Sequence, residues 1–221
     1  MALLTGSPLS GPLGYAAGIG FIAFLLVGYP GTPLLEHLME QNDQLRSGQA
    51  GEQKVRDVLH VSLPHPWVLI HNMEWPERKW GDVDLILIGT GGVWAFEVKA
   101  YTTPTRNLGE RWQYKSRWGW RNHSKSPGKQ AKDNARKVKD YLDLHGVNVK
   151  WVNPIVVWAG DDTALTIEDP AVPVWRLSEL SERIEELWRG QKLDEAEIQK
   201  CVEILEEALN KVKAKQDSKK T

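Results

Sequence analysis

An aspartate, a glutamate and a lysine stand out in this 221-residue chain as side chains whose types and spacing could do chemistry together. Residues 82–88 and 93–99 are apolar and rich in β-branched side chains, and Gly89-Thr90-Gly91-Gly92 separates them, which predicts two strands joined as a hairpin. With Ile88 facing Val93, residue numbers across the pair add to 181, and Asp84 lies opposite Glu97. Side chains alternate along a strand, so Glu97 and Lys99 share a face and Asp84 joins them there. Opposed Cβ atoms in an antiparallel pair sit about 4.5–5.5 Å apart, close enough for two carboxylates to repel unless a cation lies between them. A hard divalent ion, Mg²⁺ or Mn²⁺, resolves that repulsion, since it accepts one or two carboxylates and keeps its other positions for water and phosphate. An ammonium two residues beyond the glutamate could orient that water, stabilise charge developing on phosphorus, or act as a base.

A Glu-x-Lys alone is common on solvated strands. Two further features set this one apart: Asp84 at the facing position, and the apolar opposite face of Trp94, Phe96 and Val98. Asp82 projects toward the same face at the strand start and reads as a solvated neighbour.

Other elements must hold this hairpin. A helix from about Gly51 carries Val55, Val58 and Leu59 on one side, and one after Ser126-Pro127-Gly128 carries Ala131, Ala135, Val138 and Leu142. Residues 112–120 read as further strand or loop, 151–158 as a buried strand, and 178–188 and 193–212 as helices, with Leu205, Leu209 and Val212 on one stripe. The charged tail 213–221 is expected to fray. Upstream, Thr32 and Pro33 suit a helix start, and residues 46–51 read as a linker.

Residues 13–29 are apolar with interspersed glycines and precede the first charged side chain, Glu36. The run is long enough to cross a thin bilayer and reads as a membrane anchor, with a buried soluble helix as the alternative. A secretory signal fits less well, because no basic n-region is present. Gly14 and Gly18 could bring two such helices together, which makes a dimer one reading. Arg46, Lys54 and Arg56 follow the run and place the rest of the chain in the cytoplasm; the alternative is a soluble cytoplasmic protein.

The net charge of −1 hides an asymmetry. From Arg106 to Lys139, eleven Lys and Arg oppose only Glu110 and Asp133, an excess of nine positive charges, so the remainder carries −10. A local field of that sign attracts a phosphate backbone. Lys115, Arg117, Arg121, Lys125 and Lys129 would contact phosphates, and Trp118 and Trp120, in Arg-Trp-Gly-Trp-Arg, would stack on bases from an exposed loop, whereas Trp112 reads as core. The bland alternative is a solvated helix face. The single cysteine, Cys201, excludes an intrachain disulfide and any multi-cysteine zinc site, and it sits in an apolar helical stripe. The histidines show no metal-binding spacing, and Gly89–Gly92 lacks the Lys-Ser/Thr of a phosphate loop.

Four segments in order, Gly48-Gln-Ala-Gly-Glu52, Gly81-Asp-Val-Asp-Leu-Ile-Leu-Ile-Gly89, Gly92-Val-Trp-Ala-Phe-Glu-Val-Lys99 and Ser126-Pro-Gly-Lys-Gln130, resemble the nuclease-related domain (NERD), a branch of the PD-(D/E)xK nucleases. The resemblance covers roughly residues 46–190. It implies an α/β, restriction-endonuclease-like core with a mixed, mostly antiparallel central sheet flanked by helices. To that core this chain adds an N-terminal apolar helix and linker (1–45) and a C-terminal helix and tail (191–221). The resemblance also implies a metal site at Asp84 and Glu97, a catalytic Lys99, and auxiliary roles for Glu52 and Gln130. Leu85 stands where the family often has His, and residues 100–104 depart from its Asn and Gly, so substrate contacts are expected to differ.

The leading expectation is a metal-dependent nuclease using Mg²⁺ or Mn²⁺ on DNA, in preference to RNA. The rivals are a nucleic-acid-binding recruitment module and a membrane-associated interaction protein.

Overall fold

The computed structural model describes residues 33–64, 66–76 and 80–218. The chain divides into two compact units, Met1–Leu45 and Arg46–Thr221. The apolar run 13–29 expected as a membrane anchor lies outside the described residues, and among the described residues no helix is long and apolar enough to cross a membrane.

In chain order the elements are helix α1 (Pro33–Ser62), strands β1 (Val68–Met73), β2 (Val83–Gly89), β3 (Gly92–Lys99), β4 (Thr105–Leu108), β5 (Arg111–Ser116) and β6 (Gly119–Asn122), helix α2 (Pro127–Leu144), strands β7 (Val152–Trp158), β8 (Leu165–Glu168) and β9 (Val174–Arg176), and helix α3 (Glu195–Asp217). A central sheet runs β1-β2-β3-β7-β9 and is mixed: β1–β2 and β2–β3 pair antiparallel, while β3–β7 and β7–β9 pair parallel. Helices flank it, as the α/β reading expects. The parallel joins arise because β3 reaches β7 through β4–β6 and α2, a connection long enough to cross over.

Both faces of the sheet are covered, which is why β2 and β3 are apolar almost without interruption. Ile86, Ile88, Val93 and Ala95 pack with Val138 and Leu142 of α2 and with Cys201 and Leu205 of α3. Leu85, Leu87, Trp94 and Phe96 pack on the other face with Val55 and Leu59 of α1 and with Leu180 and Leu187. Phe96 is fully buried, and truncating such a ring to alanine costs about 3–5 kcal/mol.

Three expectations change. Residues 46–51 are no linker but part of α1, continuous from Pro33 to Ser62; the good helix formers Gln49, Ala50, Glu52 and Gln53 offset the roughly 1 kcal/mol that each glycine costs there. Gly51 has a packing reason: a Cβ on it would lie 2.8 Å from Ala100 Cβ and 3.2 Å from Ala159 Cβ, so α1 approaches the end of β3 only with glycine at this point. The tail is helical as far as Asp217, where Lys215 bonds the Pro76 carbonyl and Gln216 bonds Glu74. The helix at 178–188 is a chain of short turns, 3₁₀ at Leu177–Glu179, α at Leu180–Arg183 and 3₁₀ at Ile184–Arg189.

Segment 105–122 belongs to a second sheet, ordered β6-β5-β4-β8. Gly119, at φ 111°, turns β5 into β6. Trp112 is core, 2% exposed, while Trp118 at 74% and Trp120 at 37% face solvent, as their sequence settings predict.

Candidate functional site

The β2–β3 hairpin has the register read from the sequence: Ile88 faces Val93 and Leu85 faces Phe96. Regular pairing ends at Leu85–Phe96, one residue short of Asp84. There the Asp84 side chain takes over, its Oδ2 accepting the Val98 backbone N–H at 2.7 Å. The aspartate is thereby pinned across from Glu97.

Glu97 is 2% exposed and holds two partners. Lys99 donates to its Oε1 at 2.5 Å, and Asn134 of α2 donates its amide to Oε2 at 2.7 Å. Lys137 in turn donates to Asn134 Oδ1 at 2.8 Å. Every polar end of this buried chain is satisfied, which fixes the Glu97 carboxylate to the helix as well as to the strand.

Burial dominates the electrostatics. It pushes the Glu97 carboxyl up to about 7, with Asp84 adding to the shift and Lys99 opposing it. Asp84 is also raised, by burial first, against the pull of Lys99 and the Val98 N–H. Burial is the largest single influence on the Lys99 ammonium and lowers its affinity for the proton, but Glu97, Tyr101 and Asp84 together outweigh it, so that affinity ends above the ordinary value. Two carboxylates that each resist ionisation beside a held ammonium are the arrangement expected where a further cation completes the charge balance.

These groups line a cleft of about 460 Å³ between the hairpin and α2. Gln130, Lys125 and Lys129 border it, so six of the residues singled out from the sequence (Asp84, Glu97, Lys99, Gln130, Lys125 and Lys129) meet in one place. Glu52 does not line the cleft, although burial and then the charge of Asp84 raise its carboxyl. Lys115, Arg117, Trp118, Trp120 and Arg121 lie apart on the β5–β6 hairpin. There Arg106 and Lys115 sit over the Trp120 ring at 4.3 and 5.4 Å, and Arg117 sits over Trp118 at 4.8 Å. These cation–π contacts fix the orientation of both rings.

Asn134 and Lys137 were not singled out from the sequence, yet they are built into the site. The signal was present: Gln130, Asn134 and Lys137 follow i, i+4, i+7 on α2, next to the apolar stripe of Ala131, Ala135 and Val138. Asp82 lines the cleft too, from an exposed position. Tyr101 and His123 stack at 4.7 Å beside Lys99, whose charge lowers the His123 pKa after burial has done so first; a half-buried histidine on a loop left no mark in the sequence pattern.

The donor set suits a hard divalent ion. Among the described residues no group of three or more His, Cys, Asp or Glu is placed to hold a metal; of the four acids that line the cleft, Asp82, Asp84, Glu97 and Asp133, the facing pair Asp84 and Glu97 makes two donors. That is the number from which Mg²⁺ is commonly held together with water and phosphate. Each Glu97 oxygen accepts one hydrogen bond and retains a lone pair for a cation.

The family model described as "Nuclease-related domain" matches residues 47–159. The matched span contains Asp84, Glu97, Lys99, Gln130 and Asn134, and it runs from the middle of α1 to just past β7. No curated protein and no solved structure matches the chain significantly.

Proposed function

Because this chain belongs to the nuclease-related domain family, within the PD-(D/E)xK nucleases, we propose that it hydrolyses phosphodiester bonds of nucleic acid, DNA in preference to RNA, with Mg²⁺ or Mn²⁺ held by Asp84 and Glu97. One observation carries the reading: the buried carboxylate of Glu97, the half-buried one of Asp84 and a lysine converge on a cleft whose rim is basic.

When bound, the ion would polarise the scissile phosphate and lower the pKa of a water. The remaining work falls to the side chains. Asp84 is oriented by the Val98 N–H, which leaves its other oxygen for the cation. Asn134 and Lys99 fix the Glu97 carboxylate, so no reorganisation is needed when substrate arrives. Of the three roles open to Lys99, its raised pKa favours those of a charged group: orienting water and stabilising negative charge on phosphorus, rather than accepting a proton. Lys125 and Lys129, which line the cleft, would receive the neighbouring phosphates, and Gln130 would hydrogen-bond an oxygen within it.

A second reading, binding without cleavage, draws on the fact that both Glu97 oxygens already carry partners. Incubating the chain with circular and linear DNA, in Mg²⁺, Mn²⁺ or chelator, separates the two. Cleavage that needs the ion supports the nuclease. Binding with no cleavage under any condition supports the recruitment module.

A further inference from the structure

A second pocket, of about 340 Å³, opens on the other side of the α2 N-terminus, lined by Asn107, Trp112, Gly128, Lys129, Lys132 and Val172. Lys129 and the cap residue Ser126 also line the cleft described above, so the two cavities are continuous in their lining. Nothing in the cleavage chemistry uses this pocket.

Its floor holds an unanswered acceptor. Asn107 is 1% exposed, and its amide nitrogen donates to two carbonyls, Gly109 O at 2.8 Å and Arg111 O at 3.3 Å. Because both partners are carbonyls, the orientation of the amide is fixed. Its Oδ1 has no hydrogen-bond partner among the described residues. A buried acceptor in that state is costly, and a donor entering the pocket that Asn107 lines would answer it.

The surroundings say which donor. Trp112 and Val172, both buried, give the pocket an apolar wall suited to the flat face of an aromatic ring. Lys129 and the α2 N-terminus capped by Ser126 supply positive potential at the mouth, while Lys132 is ion-paired there with Glu110 at 2.9 Å. The volume lies within the roughly 300–1,000 Å³ usual for small-ligand sites. An aromatic ring bearing N–H donors and tethered to a phosphate is a nucleotide.

Resting on the nuclease reading, we infer that this pocket is a subsite for one unstacked base of the substrate strand. The base N–H meets Asn107 Oδ1 and the adjoining phosphate lies at Lys129. In a duplex the donor edge is occupied by pairing, so the subsite selects single-stranded or locally opened nucleic acid.

Ala171 lines the pocket from an exposed loop position, so Ala171→Phe fills it without touching the core. Fluorescence anisotropy in Ca²⁺ would compare a labelled single-stranded oligonucleotide with a wholly abasic strand of the same length, for wild type and Ala171→Phe, with melting temperatures as the check on folding. Wild type is expected to prefer the base-bearing strand roughly tenfold, a preference that stacking of a single base suffices to give. Ala171→Phe is expected to erase the preference while binding the abasic strand as wild type does. A preference that survives in Ala171→Phe, or equal binding of both strands by wild type, overturns the subsite and leaves the nuclease reading standing. A wild type that binds neither strand overturns both.

Discussion

Asn134 donates its amide to Glu97 Oε2 at 2.7 Å across 37 positions of sequence, and this bond ties helix α2 to strand β3. Both groups are buried, so each depends on the other for satisfaction. Asn134→Leu is expected to cost about 1–3 kcal/mol in urea denaturation, from the orphaned Glu97 oxygen and the lost bond from Lys137. Cleavage should fall by roughly 10–100-fold, the usual effect of removing a group that orients a metal ligand. A variant with normal stability and activity would show that the bond does not position Glu97.

A pH dependence follows from Glu97. Its carboxyl titrates at about 7 in the folded chain against the ordinary 4.5. Between those values the folded state keeps a proton that the unfolded state has lost. This group's contribution to stability is therefore full below pH 4.5 and disappears as pH rises to about 7. Asp84, also raised, acts in the same direction. The metal-free protein should lose melting temperature across that window relative to Glu97→Gln, and Mn²⁺ should restore more stability at pH 7.5 than at pH 5. A wild type that follows Glu97→Gln at every pH would contradict the shift.

The hairpin could be placed from the sequence because its logic is local. Glycines at 89–92 fix the turn, and parity along β2 and β3 then puts Asp84, Glu97 and Lys99 on one face. The basic rim was visible as charge density. What was hidden depends on contacts distant in sequence. The second sheet forms because β4 finds β8, about sixty residues on. Asn134 matters only because α2 lies across β3. Residues 46–51 looked like a linker from their glycines, and only the close approach of Ala100 and Ala159 explains Gly51 inside a helix.

The basic residues 117–125, from the β5–β6 hairpin to the rim of the cleft, make a separable prediction. Neutralising Arg117, Arg121 and Lys125 together should weaken binding of nucleic acid and reduce the slope of log affinity against log salt by up to roughly one unit per lost contact. Lys99→Ala should leave binding nearly unchanged while slowing cleavage. An unaltered salt slope in the triple variant would reduce the segment to a solvated face.

For the apolar run 13–29 we propose a membrane anchor. The full chain is then expected in the membrane fraction after carbonate extraction, and a chain lacking residues 1–45 in the supernatant. Recovery of the full chain in the supernatant would favour a helix buried in protein.

The central claim is that Asp84 and Glu97 jointly hold a divalent ion. Isothermal titration of Mn²⁺ into wild type, Asp84→Asn and Glu97→Gln at pH 7.5 tests it most directly, with circular dichroism confirming that each variant is folded. Wild type should show a saturable site, weakened at least tenfold in each variant. Equal Mn²⁺ affinity in all three proteins, or none in wild type, would contradict the account.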